Sequence, residues 1–254
     1  MKTIFNQDNL NDLGFFDPWI GDDYEKGYKG KKVLAVGASH YCDKDRHPCP
    51  YREECLQCSK KFALEELCPF PENPRKPKLN YKASQYCIEE LLNIGPTFTD
   101  NGYKVYNYFH SSFEGRWIDD PKERELFWNS ISFYNFYQNY KPSASQGSYD
   151  EEKAKSFIEP FLRVVKALSP DLIFFWGSNV ERTIKETFID LEDVDDEYKE
   201  FIYRYYFSGK PTIIMFQDHP TSRYAYHNRL GIAGISYDQW TPIIRRSFEI
   251  ANNL

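Results

Sequence analysis

Val33-Leu34-Ala35-Val36-Gly37-Ala38-Ser39-His40-Tyr41 is an apolar run that breaks off in a glycine and small polar residues. A second stretch of the same design stands near the other end of the chain: Ile213-Ile214-Met215-Phe216-Gln217-Asp218-His219-Pro220-Thr221-Ser222-Arg223. Each predicts a buried strand running straight into a polar loop. In open parallel sheets flanked by helices, ligands bind just beyond the carboxyl ends of the strands, so two such junctions can face one crevice. That crevice would gather Ser39, His40, Tyr41 and His219.

Working outward, residues 131–136 and 172–176 are further short β-branched or aromatic runs bounded by turn residues, and with 33–36 and 212–216 they predict four buried strands. Helical periodicity marks 84–92, 121–128, 150–168, 180–188 and 238–252, with Phe157, Phe161, Val164, Val165 and Leu168 on one face of the third. Residues 103–109 are a candidate further strand. Strands alternating with helices imply right-handed crossovers. The expected fold is therefore α/β, a three-layer α/β/α sandwich around a central, mostly parallel four-stranded sheet. Residues 1–254 read as a single domain, with a cysteine-rich insertion over 42–70. Residues 141–148 are a flexible connection by composition.

Composition narrows the function classes. The chain has 254 residues, 41% of them hydrophobic, enough for a full core. The N-terminus lacks an apolar signal core, and no run approaches the ~18 apolar residues that span a bilayer. A cytoplasmic monomer without a membrane partner is the expectation. The net charge of −6 excludes coating of nucleic acid by bulk electrostatics. A local groove can still be basic, since Lys29, Lys31 and Lys32 precede the first strand and Arg223 and Arg229 follow the last. The acidic run over 190–200 predicts a solvated helix face.

In chain order, the glycine motif ending in Tyr41, the aromatic strand carrying Asn135, the strand ending Phe-Phe-Trp-Gly-Ser and the late His-Pro-Thr-Ser resemble the uracil-DNA glycosylase superfamily. The resemblance covers the strand framework from about residue 31 to 250, and these four patches carry it. It implies a DNA repair enzyme that hydrolyses the N-glycosidic bond of uracil or another modified base flipped out of DNA. Gly37, Ala38 and Tyr41 would wall the base pocket, and Asn135 would read the base edge. His219 would stabilise the leaving base, while Pro220, Thr221, Ser222 and Arg223 would hold the opened strand. No organic cofactor is implied.

Those residue types suit the reaction. Cleaving a glycosidic bond builds negative charge on the departing base, and a fixed donor near its oxygen lowers the barrier. A planar amide offers one donor and one acceptor for paired bonds to a base edge. Where efficient uracil enzymes carry a carboxylate or Asn, this chain has Ser39, a poor general base. His40 could take its place, because an imidazole titrates near working pH, or the turn could direct it away. Ser39 or His40 would then position the water.

Other roles are open at each position. His219 could cap a turn, Asn135 could be a turn or edge residue, and Tyr41 could fill core. Tyr134, Phe136, Tyr137 and Tyr140 could stack bases, although a buried strand accounts for them more simply. A catalytically silent nucleic-acid or protein-binding module and a small-molecule nucleosidase are the competing functions.

Five of the six cysteines, Cys42, Cys49, Cys55, Cys58 and Cys68, lie close together with His47 among them. In an intracellular chain such clustering points to a metal rather than disulfides. Structural zinc on Cys42, Cys49, Cys55 and Cys68 is the expectation, with Cys58 as a rival ligand. An iron–sulfur cluster is the alternative, because Cys49 and Cys68 precede proline. Superfamily members with such a cluster have their first cysteines ahead of the glycine motif, and here all lie behind it.

Overall fold

The computed structural model describes residues 16–40, 83–93, 101–138, 151–218 and 237–254. The strands are β1 (Trp19–Ile20), β2 (Val33–Gly37), β3 (Ser132–Asn135), β4 (Leu172–Trp176), β5 (Glu192–Asp193), β6 (Ile202–Phe207) and β7 (Lys210–Gln217). The helices are α1 (Ala83–Asn93), α2 (Asn101–Glu114), α3 (Pro121–Ser130), α4 (Glu151–Lys155), α5 (Ile158–Leu168), α6 (Ser178–Thr187) and α7 (Tyr237–Asn252).

Among the described residues the protein is mixed α/β around one seven-stranded sheet of order β1-β3-β2-β4-β7-β6-β5. Its centre is the block β3-β2-β4-β7, in which every neighbouring pair is parallel. The sheet is larger than the four strands expected, because β1 and the β5-β6 pair add antiparallel margins. β2, β3 and β4 are buried along their whole length, which is why β2 and β4 are continuously apolar rather than alternating, while β3 carries Phe133 and Tyr134 between the buried polar residues Ser132 and Asn135.

Successive strand residues feed two cores. Val33, Ala35, Phe133, Leu172, Phe174, Trp176, Ile213 and Met215 pack with side chains of α1, α2, α3 and α7. Leu34, Val36, Tyr134, Ile173, Phe175, Ile214 and Phe216 pack on the other face with α5 and α6. Helices therefore cover both faces. Tyr134, Phe136 and Tyr137 are buried, so these three serve the core and not an exposed stacking surface, and Tyr140 lies outside the described residues.

Three local expectations are corrected. Residues 103–109 lie inside α2, not in a strand: Tyr106, Phe109 and Phe113 recur at helical spacing and all join the first core. The helix expected over 150–168 is split into α4 and α5, since Pro160 has no N–H to return to the carbonyl of Ser156. The acidic run over 190–200 is not a helix. Glu192 and Asp193 pair with Arg204 and Tyr203, and the Asp195 carboxylate accepts from the N–H groups of Glu197 and Tyr198 at 3.1 and 2.9 Å. Local side-chain capping of this kind competes with helix formation.

Among the described residues no helix is long and apolar enough to cross a membrane. Phe174 is fully buried at the centre of the first core, against Phe109, Phe113 and Phe248. Phe174→Ala should cost about 3–5 kcal/mol. Urea unfolding should show this as a lower midpoint with an unchanged slope.

Candidate functional site at the carboxyl edge

Chain order and spatial order of the parallel block fix where a ligand belongs. The chain passes from β2 outward to β3, then returns to the other side of β2 for β4 and β7. The reversal falls between β2 and β4, and open α/β sheets bind ligands outside the carboxyl ends of the strands at that point. The Gly37–Ala38–Ser39–His40 segment leaves the sheet there. Gly177, the N-cap of α6, stands beside it at the end of β4.

The four parallel strands end level with one another. Gly37 pairs with Asn135, Val36 with Phe175, and Trp176 with Gln217, so Asn135, Gly37, Trp176 and Gln217 form one transverse row. Asn135, Trp176 and Gln217 point to the face covered by α1, α2, α3 and α7, because Phe133, Phe174 and Met215 two residues earlier do, and a side chain on Gly37 would follow Ala35 to the same face. Gly37 leaves a notch in this row. A Cβ built on it would lie 2.4 Å from Asn135 Oδ1 and 3.1 Å from the Phe133 ring. Any side chain at 37 would displace the Asn135 amide.

The backbone carries β2 and β3 together past their formal ends, with Phe136 N–H donating to Gly37 O at 2.9 Å and Tyr137 N–H to Ala38 O at 2.8 Å. Gln138 ties this turn to the N-terminal segment, donating to Asn135 O at 2.6 Å and accepting from Phe16 N–H at 2.7 Å. Against this scaffold His40 is turned inward. Its Nε2 lies 3.0 Å from Asn135 Nδ2 and 3.1 Å from Ser84 Oγ on α1, and Phe16 packs edge-on to the ring.

Desolvation by complete burial lowers the His40 pKa from 6.5 to about 3. The ring is therefore neutral at neutral pH, and with Nδ2 of Asn135 donating to Nε2 its proton sits on Nδ1. This corrects the expectation of an imidazole titrating near working pH. So weak a base, with its acceptor nitrogen already bonded, is poorly suited to activating water. What His40 does is orient Asn135. Ser39 is buried and its Oγ has no hydrogen-bond partner, so its hydroxyl is available to hold a water.

The structure thus brings Gly37, Ala38, Ser39, His40 and Asn135 together at one edge. Tyr41, His219, Pro220, Thr221, Ser222 and Arg223 lie outside the described residues, as do Cys42, Cys49, Cys55, Cys58 and Cys68. Cys87 is half-buried on α1 and packs against the first core. Among the described residues no cluster of His, Cys, Asp and Glu could hold a metal.

Sequence reading missed three contributors. Ser84 supports His40 from a helix more than forty residues away, which no local pattern signals. Trp176 and Gln217 end their strands in the same row as Asn135, buried, with Trp176 Nε1 and both amide atoms of Gln217 unpaired. Their place at the ends of apolar runs was the available signal.

A groove of about 520 Å³ lies at the opposite, amino-terminal edge, lined in part by Arg163, Lys166, Ser169, Phe207 and Lys210. Lys210 is committed there to Asp171 and the Ser169 carbonyl at 2.8 and 2.6 Å. No family model matches the chain, and none of the curated proteins is similar to it.

Two outcomes follow from this geometry. Gly37→Ala should cost about 1–3 kcal/mol by overpacking against Asn135 and Phe133, measured by chemical denaturation. The second concerns pH. His40 and His110, the latter lowered to about 3 by burial and then by Arg116 and Arg124, are neutral in the fold, whereas the unfolded chain protonates both near 6.5. Their contribution is complete above about pH 6.5 and is lost as pH falls towards 3. The urea midpoint should decline over that window, less steeply in His40→Gln.

Proposed function

We propose that this protein is a DNA glycosylase of the uracil-DNA glycosylase type, hydrolysing the N-glycosidic bond of a modified base flipped out of DNA. One observation carries the proposal. The loop that leaves β2 at the reversal point of the parallel sheet meets the Asn135 amide at the end of the neighbouring β3, and the missing side chain of Gly37 gives that amide the place it occupies. A fixed, buried amide at the ligand-binding edge of an α/β sheet is suited to reading a planar donor–acceptor pair. The sequence of the four motif patches supplies the rest.

In this proposal Asn135, held by His40, selects the base, and Gly37, Ala38 and Tyr41 wall it. Ser39 positions the water whose oxygen bonds to the sugar carbon as the bond to the base nitrogen breaks. The base leaves as an anion that His219 stabilises, and the water's excess proton passes to solvent. Pro220, Thr221, Ser222 and Arg223 hold the opened strand. With no carboxylate among the groups assigned to the water, most of the rate acceleration must come from stabilising the leaving base. The cysteine cluster is proposed to bind one structural zinc, since its thiolates match that metal's donor preference. A saturated site of this kind would brace the loop after Tyr41 and take no part in the chemistry.

Duplexes carrying uracil, hypoxanthine or 5-hydroxymethyluracil, followed by alkali, test the activity. At least one should yield abasic strand breaks, and His219→Ala should reduce the rate by about 10²–10³-fold. Tight binding with no abasic product would instead identify the silent binding module, which the neutral Ser39 and His40 favour. Metal analysis of protein purified without added zinc should find close to one zinc per chain; iron and acid-labile sulfide would identify a cluster instead.

A further inference from the structure

The groove at the amino-terminal edge belongs to no part of the site at the carboxyl edge. It lies between α5 and the hairpin formed by β6 and β7. At about 520 Å³ it matches the size of sites that take small organic molecules. Its floor is closed, since Val165 and Thr212 are 2% and 1% exposed and the Thr212 hydroxyl donates to Pro170 O at 3.2 Å. Phe207 lines it with a ring already held by Tyr205 and Phe188, whose ring centres lie 4.8 and 5.7 Å away. Leu162 and Pro170 add further apolar surface.

The charges around this lining are unevenly matched. Lys210 is held by Asp171 at 2.8 Å and donates to Ser169 O at 2.6 Å, at the carboxyl end of α5. Arg163 meets Glu159 at 3.6 Å, beyond ordinary hydrogen-bond length. Lys166 forms no hydrogen bond or ion pair among the described residues. Arg163 and Lys166 are three residues apart on α5, so they share a face, and both line the groove. A lysine in the last turn also answers the helix dipole, but Lys210 fills that role through the Ser169 carbonyl.

The backbone supplies a second observation. Ser169 and Ser208, both lining the groove, have φ of 46° and 51°. The first ends α5 and the second opens the two-residue hairpin turn, positions at which Gly or Asn is the usual choice. Serine at both puts two hydroxyls on the cavity at a conformational cost, and residues held in such backbone regions gather at ligand clamps. Ser169 Oγ accepts from Lys210 at 3.3 Å, which leaves its own proton to donate.

We propose that this groove binds a small aromatic oxyanion. The ring lies on Leu162, Pro170 and Phe207, and its carboxylate or phosphate group meets Lys166 and Arg163, with the Ser169 and Ser208 hydroxyls as further donors. The sheet separates this site from the carboxyl edge, so the inference does not rest on the glycosylase proposal.

Calorimetric titration of the full chain with 2-naphthoate and with 2-naphthyl phosphate tests it, and 2-naphthol and inorganic phosphate report on ring and charge alone. At least one aromatic anion should bind with a Kd below about 1 mM, about tenfold or more tightly than either control, and more weakly as salt is raised. The tighter of the two identifies the oxyanion. Lys166→Gln should weaken that binding about tenfold, the worth of one charge-assisted hydrogen bond, with an unchanged melting temperature because the side chain is exposed. Ser208→Gly should weaken it severalfold while the melting temperature holds or rises, since glycine adopts the left-handed turn without cost. Neither variant should alter base excision. No binding of either aromatic anion at about 1 mM, a control that binds as tightly, or an affinity that either variant leaves unchanged overturns the inference.

Discussion

The contact between Gly37 and Asn135 is the constraint on which the carboxyl edge depends. Because position 37 has no side chain, the Asn135 amide can lie across β2 instead of being pushed off it, and from there it meets the imidazole of His40. The backbone bonds from Phe136 and Tyr137 back to Gly37 and Ala38 hold the two strand ends in step. His40, kept neutral by burial, then acts as a fixed acceptor braced by Ser84. A charged imidazole in the same place could not accept from the amide, so the low pKa and the geometry of Asn135 are two descriptions of one arrangement.

The rest of the fold serves to bring that edge level. Two large aromatic cores press on the sheet from either side, and their fixed ring contacts leave the central strands little freedom to slip. A one-residue slip of β7 would turn Gln217 to the opposite face and replace it with Asp218. The same registers that pack Phe174 and Phe175 thus determine which polar groups line up at the strand ends.

Much of this was legible in the sequence. The four parallel strands are announced by short apolar runs stopped by polar residues, and all four lie where expected. Alternation of helix and strand conveyed the class of fold. The antiparallel margin was missed although Ser208-Gly209 joins β6 to β7, with both residues at positive φ as a tight hairpin turn requires. Residues 103–109 misled because an alternating aromatic run has the same composition in a buried helix as in a strand, and only packing on α3 and α7 decides. At the site, Gly37 and Asn135 were legible as motif residues. The inward turn of His40 was not, since it depends on Ser84 and Phe16 and on the cost of burying charge.

Among the described residues the outermost strand on each side of the sheet, β1 and β5, is only two residues long and runs antiparallel to its neighbour. Such short selvedges offer a passing chain very few unpaired amides to zip onto, and β5 presents acidic side chains besides. A sheet rich enough in Phe and Tyr to invite stacking into fibres is thereby hemmed at both sides.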